Sequence, residues 1–481
     1  MTTELQLPKG WKIERLGDVL QIQNGYAFKS IEFIKENPEN IHIPLIRQSQ
    51  LVGNIVDVSN CVFLNRKYLI DKQNYIVNKG DILIGMSGSI GKVSFYEEDY
   101  PALLNQRVGK LNLYDNDTFQ KDFFAYLLIS LESSIIQIAK GMGVQNISSK
   151  DIEQLKIPIP PLETQQAIVN KIESLFDEID EGVGRLKTAA RQIQQYRQSL
   201  LKNAFNGELT KEWRSKHADT LPSENELLAQ IQTAREQHHA QQLADWQTAV
   251  SQWEQNGKEG KKPSKPKAPT QAVKFEENVT DLPSGWGTAK LESLASEYVL
   301  GKMLDKNKNK GKERPYLGNI NVRWGYFEFS NAKTMKIEDD EIERYSVKYG
   351  DLIICEGGEP GRCAVWKHEA EMFIQKALHR VRFPSYYSAD FAFYYLSYAV
   401  KLPLVTDLLT GTTIKHLTGT ALKNIPFPVC SINEQTQIVA ILESKLTACD
   451  QLADELAKQL KQAELLKQAV LKAAFQGELS E

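Results

Sequence analysis

Few places in this chain have residues and spacing that could do chemistry. GMSGSIGK, at 85–92, resembles a phosphate loop, in which backbone amides and a lysine cradle a di- or triphosphate. The spacing from Gly85 to Gly91-Lys92 is one residue too long, and Val93 stands where Ser or Thr would meet a metal. A glycine-rich turn between strands is the better account; the matching stretch of the second half reads Gly361-Arg362-Cys363. Cys363 and His368 are a lone pair without further zinc ligands in sequence. No Asn-Pro-Pro-aromatic or Asp-Pro-Pro-aromatic run is present to hold a base for methylation. No catalytic constellation and no metal ligand set emerges.

What remains is recognition. A duplex reader needs Lys, Arg, Asn or backbone amides on phosphates, and a few side chains that reach base edges. The second half offers Lys302, Lys306, Lys308, Lys310, Lys312 and Arg314 in a loop-like stretch bearing Gly and Asn, followed by Arg323, Trp324 and Arg362. The first half offers Asn24, Tyr26, Lys29, Arg47, Gln48, Lys92, Gln106, Arg107, Gln145 and Asn146. One exposed lysine is ordinarily a solubilising charge, so the 302–314 cluster weighs most.

The elements that must position these residues are written twice. AFNGELT at 204–210 returns as AFQGELS at 474–480, an offset of 270 that holds backward through Leu200/Val470, Leu186/Leu456 and Ile172/Leu442. In the first copy Val169, Ile172, Phe176, Ile179, Val183, Leu186, Ala190, Ile193, Arg197, Leu200 and Ala204 alternate at intervals of three and four. The second copy keeps the pattern through Val439, Leu442, Leu446, Cys449, Ala453, Leu456, Leu460, Ala463, Lys467, Val470 and Ala474. Such a stripe predicts a coiled-coil seam, with each helix partnered by the other. Arg197 and Lys467 share one seam position and are register devices, a docking point, or side chains that snorkel out of the seam. Ser431 and Glu434 form a capping box, and Gly207 and Gly477 suit the left-handed residue after each helix. At 1.5 Å per residue the span from Val169 to Ala204 is a rod of roughly 50 Å.

LPKGW at 7–11 and LPSGW at 282–286 open two modules that otherwise differ greatly. Each carries short strand-like runs, then a short helix (about 119–139 and 390–400), then IPIPPL or IPFPV leading into a long helix. The division is 1–160, 161–215, 216–280, 281–430 and 431–481. The fold class is α+β: two mixed, mostly β modules and two long helices in an antiparallel coiled coil, related by an internal pseudo-twofold repeat. Residues 216–280 have no second copy; Ser223 and Glu226 start a helix that ends near Asn256-Gly257, and GKEGKKPSKPKAPT at 257–270 reads as a flexible basic linker. The net charge is only -3, so no bulk field points to nucleic acid. Five cysteines without CxxC spacing, no signal core and no membrane-length run predict a cytoplasmic protein.

Two divergent modules with LPxGW openings, IPxP exits, helices beginning ETQQAIV or EQTQIV, and AF-x-GEL endings resemble the specificity subunit of a type I restriction-modification system. The resemblance covers nearly the whole chain outside about 215–275. Thr164 departs from the glutamate at the matching position, Glu434, with consequences expected only for local capping. The resemblance implies two target recognition domains, each reading one half of a split, non-palindromic DNA site. Coiled-coil spacing would suit half-sites about one helical turn, roughly 34 Å, apart. It implies methyltransferase subunits, two of them, docked around the helices, and a translocase-nuclease subunit. S-adenosylmethionine, ATP and Mg2+ would then serve the partner subunits, with no cofactor on this chain. A methylation-only complex is the nearer alternative, and a non-DNA scaffold or adhesion protein the more distant one.

Overall fold

The strand after each LPxGW stretch pairs with the strand that carries IPxP. In a computed structural model of the chain, which describes residues 8–37, 41–115, 117–139, 146–260, 262–268, 272–275, 282–305, 309–412 and 415–479, Lys12–Arg15 runs antiparallel to Lys156–Ile159. Gly287–Lys290 runs antiparallel to Pro426–Val429 in the same way. The repeated motifs therefore close each module at its two ends. A two-stranded ribbon leaves every strand one free edge, which is where these prolines are tolerated.

The chain divides into two units, Met1–Ala189 with Glu455–Glu481, and Ala190–Asp454. In the first, a six-stranded sheet runs in the order Leu20–Asn24, Val108–Leu113, Ile82–Gly85, Val93–Phe95, Ile55–Val56, Leu51–Val52. A second sheet has the order Val62–Leu64, Ile43–Ile46, Ala102–Leu104, Ile76–Val77. In the second unit the sheets are Glu297–Leu300, Leu378–Arg382, Leu352–Cys355, Cys363–Val365, and Lys333–Ile337, Lys312–Leu317, Phe373–Ile374. The central strands are buried on both faces, hence runs such as Ile82-Leu83-Ile84 and Leu352-Ile353-Ile354 without polar alternation. Gly85 ends the strand Ile82–Gly85 before the turn into Val93–Phe95, its amide bonded to the Lys92 carbonyl at 2.9 Å, so this is a hairpin.

The helix expected at about 119–139 is broken at Leu131 into Lys121–Ser130 and Glu132–Ile138. Its counterpart is Ala389–Ala399. The long helices are Leu162–Phe205 and Ile432–Gln476, and Gly207 and Gly477 follow them at φ 78° and 82°. A Cβ on Gly207 would stand 2.3 Å from Pro283 Cγ, and one on Gly477 2.1 Å from Pro8 Cγ. Each helix end is thus seated on the LPxGW proline of the other repeat, in both units alike.

Each long helix gives one segment to each unit, and in both units the two segments are antiparallel. Lys467 Nζ donates to Asp180 Oδ1 at 2.6 Å in the first unit, and Arg197 donates to Asp450 in the second. The residue numbers of these pairs have one common sum, as a constant antiparallel register requires. The two basic seam positions are therefore ion-paired, and Lys467 also lies 5.0 Å from the Phe176 ring centre. Toward the middle of the helices Leu186, Ile193, Leu456 and Leu460 are only half-buried between exposed flanks, the burial of a two-stranded seam. Toward the modules Ile172, Phe176, Leu200 and Leu442 are buried, while Ile179, Leu446 and Val470 pack at the core margins.

The helix at Glu224–Gln255 starts at the expected capping box, Ser223 and Glu226. The linker departs from expectation: its described residues lie back along this helix. Trp246 Nε1 donates to the Pro263 carbonyl at 3.0 Å and Trp253 Nε1 to the Gly260 carbonyl at 3.3 Å. The Lys265 and Lys262 ammonium groups stand near the same two rings, so each indole meets the segment through its N–H and its face.

Candidate nucleic-acid interface

Short loops at one end of the strands form a rim in each module. In the first, Gly25 comes so close to the next strand that a Cβ would lie 2.3 Å from the Asn105 carbonyl. Only glycine permits that approach. It lets Tyr26 bridge to Asn105, with Gln106 N donating to the Tyr26 carbonyl at 3.1 Å. Met86 N donates to the Arg107 carbonyl at 2.9 Å, Ser87 bridges to Asn146, and Ser89 Oγ donates to the Gln48 carbonyl at 3.0 Å. Backbone geometry thus gathers Tyr26, Gln48, Gln106, Arg107 and Asn146 on one rim, where Gln106, Arg107 and Asn146 are exposed.

The second module repeats these bonds. A Cβ on Gly301 would lie 2.3 Å from the Gln375 carbonyl; Lys302 bridges to Gln375, and Lys376 N donates to the Lys302 carbonyl at 2.9 Å. Glu356 N donates to the Ala377 carbonyl at 2.9 Å, Gly357 bridges to His416, and Asn319 Nδ2 donates to the Gly357 carbonyl at 2.6 Å. One backbone frame therefore carries two sets of side chains: Gln106, Arg107 and Asn146 in one module, Lys376, Ala377 and His416 at the same places in the other.

The family described as "Type I restriction modification DNA specificity domain" matches residues 8–186 and 283–462, about three quarters of the chain. The chain belongs to this family. It is 24% identical to the type I restriction enzyme EcoBI specificity subunit of Escherichia coli, over 99% of this chain and 88% of that protein. Its fold is similar to a chain from a structural study of the assembly and conformational transition of the type I R-M system, with TM-score 0.64, 16% identity, and 98% and 99% of the two chains covered. It is also similar to the HsdS subunit of Thermoanaerobacter tengcongensis, with TM-score 0.53, 16% identity, and 99% of both chains covered.

For a chain of this family the remaining candidates fall into distinct places. Asn24 is exposed at the end of its strand beside the rim, and Lys92 is exposed on the return of the Met86–Gly91 loop. Lys29 is exposed on a separate short turn. Arg47 is half-buried, its amide bonded to Gln50. Tyr26 keeps its ring inside, 5.0 Å from Phe28 and 5.4 Å from Tyr75, under the Lys72 ammonium at 4.0 Å. Arg323 is half-buried in a hairpin where Val322 bridges to Phe327. Arg362 donates to the Asn319 carbonyl at 2.9 Å and pairs with Glu359 at 3.0 Å, which fixes it beneath the rim. Gln145, Lys306 and Lys308 lie outside the described residues.

The basic cluster differs from the expected loop. From Lys312 it is a strand, and two of its charges are satisfied inside the module. Lys302 is 5% exposed, and its ammonium donates to Glu338 at 2.6 Å and to Glu341. The ammonium, together with the Lys310 amide, holds the Glu338 carboxyl well below the usual carboxylate range. Arg314 pairs with Glu371 at 2.5 Å and lies over the Phe373 ring. Lys310 and Lys312 keep exposed side chains.

Lys376 and His416 share the rim positions of Gln106 and Asn146 but are not among the sequence candidates, although the 270-residue offset points to them. Other long-range contacts have no local signal. Glu434 is more than a cap: it accepts Thr210 Oγ1 at 2.8 Å, Arg214 Nη1 at 2.6 Å and Trp286 Nε1 at 2.9 Å in the core of the second unit. The tryptophan of LPSGW and the threonine of AFNGELT thereby meet on one buried carboxylate. A second buried network holds the central strands: Arg382 makes a two-pronged pair with Asp351 at 2.7 and 2.8 Å, and fully buried Arg380 pairs with Glu297 at 2.5 Å. Among the described residues no group of three or more His, Cys, Asp and Glu could hold a metal ion, and no helix is long and apolar enough to cross a membrane.

Proposed function

We propose that this chain is the sequence-specificity subunit of a type I restriction-modification complex, each module reading one half of a bipartite, non-palindromic DNA site. The observation that carries this is the rim made twice from the same backbone bonds and furnished with different side chains. Identical frames give two modules one way of approaching a duplex; different side chains give them different sequences to read. In the first module Gln106 and Asn146 carry amides of the kind that pair with adenine, and Arg107 carries the fork that pairs with guanine O6 and N7. In the second module Lys376 and His416 take those places. Exposed Lys92, Lys310 and Lys312 serve the phosphates.

The antiparallel helices hold the two modules at a fixed register and so set the gap between the half-sites. Modification subunits, two of them, dock around the helices and carry out adenine methylation with S-adenosylmethionine. A translocase-nuclease subunit uses ATP and Mg2+. This chain supplies the address and leaves bond chemistry to its partners, in the cytoplasm where the DNA is.

The test is single-molecule sequencing of DNA from cells expressing this chain with its cognate modification subunit. A methylated adenine motif of two unlike halves around a fixed gap is the expected result. Absence of any motif, while the same modification subunit is active with another specificity subunit, would overturn the reading.

A further inference from the structure

The helix Glu224–Gln255 lies in the stretch that the family match leaves uncovered, and it has no second copy in the chain. Leu227 and Ile231 bury its first turns. Directly after them Arg235, His238 and His239 fall on one face, three and four residues apart. The linker returns along this helix on its two tryptophans, and the Lys265 and Lys262 ammonium groups stand 5.7 and 5.9 Å from the Trp246 and Trp253 ring centres. This course brings Lys267 over the same face. Between them is a cavity of about 320 Å3, lined by Arg235, His238, His239 and Lys267, with Glu292 and Tyr386 on the module side.

The lining has a chemical bias. Four of those six side chains are cationic or can donate from a ring nitrogen, against one carboxylate, and His239 keeps a buried Nδ1 with no hydrogen-bond partner. Arginine and lysine converging with imidazole donors is the set that holds a phosphate, and half-buried Tyr386 adds a flat apolar face. The volume is that of a small-ligand site. Ser296 and Pro384 place the cavity at the Glu297/Arg382 end of two paired strands, while the rim lies beyond their Leu300/His379 end. The cavity and the rim therefore lie at opposite ends of this strand pair.

We propose that this cavity binds a small phosphate-bearing ligand, a nucleotide or pyrophosphate, with Arg235 and Lys267 on the phosphate and Tyr386 against the group it carries. Calorimetric titration of the full-length chain with pyrophosphate and with ATP tests it. Saturable binding of either is expected, weakened by about tenfold to a hundredfold in Arg235→Ala and in Lys267→Ala. Glu292→Gln should tighten it, a gain that misfolding cannot produce. The proposal is overturned if neither probe binds saturably, or if the three variants leave the affinity unchanged. It is equally overturned if a short duplex without a recognised half-site binds in their place with the same dependence on the variants, since the cavity would then belong to backbone phosphates.

Discussion

Arg197 donates to Asp450 between the paired helices, and Lys467 with Asp180, each 270 residues from its counterpart, makes the same contact again. A repeated pair at a repeated seam position is a register device. Asp450 is 64% exposed, so each pair is worth only about 0.2–1 kcal/mol. Asp450→Lys should lower the unfolding midpoint slightly, and combining it with Arg197→Asp should restore most of the loss. A double-mutant cycle with no coupling at either pair would leave the register to the apolar seam alone.

The same register lets one half serve as partner to itself. In two copies of residues 1–215, Asp180 of each faces Arg197 of the other, because Arg197 and Lys467 occupy equivalent positions. Such a fragment should sediment as a dimer at micromolar concentration and, with modification subunits, direct methylation to a palindrome of its own half-site. Arg197→Asp should weaken the dimer, and adding Asp180→Arg should recover it. A strictly monomeric fragment would sink the idea.

How much of this was legible depended on how far apart the partners lie in sequence. The helices, their seam and the glycines at 207 and 477 follow from period and spacing within a few turns, and the structure forms them there. The rim is built by strands far apart in the chain, so residue type alone brings Gln106 and Asn146 forward as candidates, whereas Lys376 and His416 come forward only through the repeat offset. Lys302 is buried, not part of an open basic loop, because its carboxylates lie 36 and 39 residues on, across a strand pairing that no local pattern announces. Glu434 was read as a cap because Ser431 is three residues away; Thr210, Arg214 and Trp286 are 224, 220 and 148 away.

That carboxylate gives a prediction with an internal control. Glu434→Ala strands a half-buried guanidinium and a buried indole N–H in the second unit, and should cost about 3–5 kcal/mol in urea unfolding. Thr164, the matching residue of the first repeat, is partly exposed. Thr164→Ala should stay within about 0.5 kcal/mol. Equal costs at the two positions would mean that Glu434 is only a cap.

On the rim, phosphate contact and base reading can be separated by salt. If Lys376 neutralises a phosphate, Lys376→Ala should weaken binding to all sequences and reduce the slope of log affinity against log salt by about one. If Arg107 reads a guanine, Arg107→Ala should cost about 1–3 kcal/mol at one base pair of one half-site. The slope should then stay as it was. Slopes and motifs unchanged in both variants would remove these residues from the interface.

His379 makes stability depend on pH. It is fully buried between paired strands, with the Tyr298 ring 5.4 Å away and Glu356 Oε2 3.7 Å from Nε2. Burial, aided by the Lys423 charge and opposed by the Leu417 backbone, which favours the protonated ring, lowers its pKa to about 4. An unfolded imidazole titrates near 6.5. Between those values the unfolded chain binds a proton that the folded chain refuses, so the stability held above pH 6.5 falls as pH drops through this window. The loss should reach about 2 kcal/mol by pH 5. His379→Gln should remove that part of the dependence when urea midpoints at pH 7 and pH 5 are compared. A variant whose midpoint falls as far as the native chain's would show that His379 does not carry this part of the pH dependence.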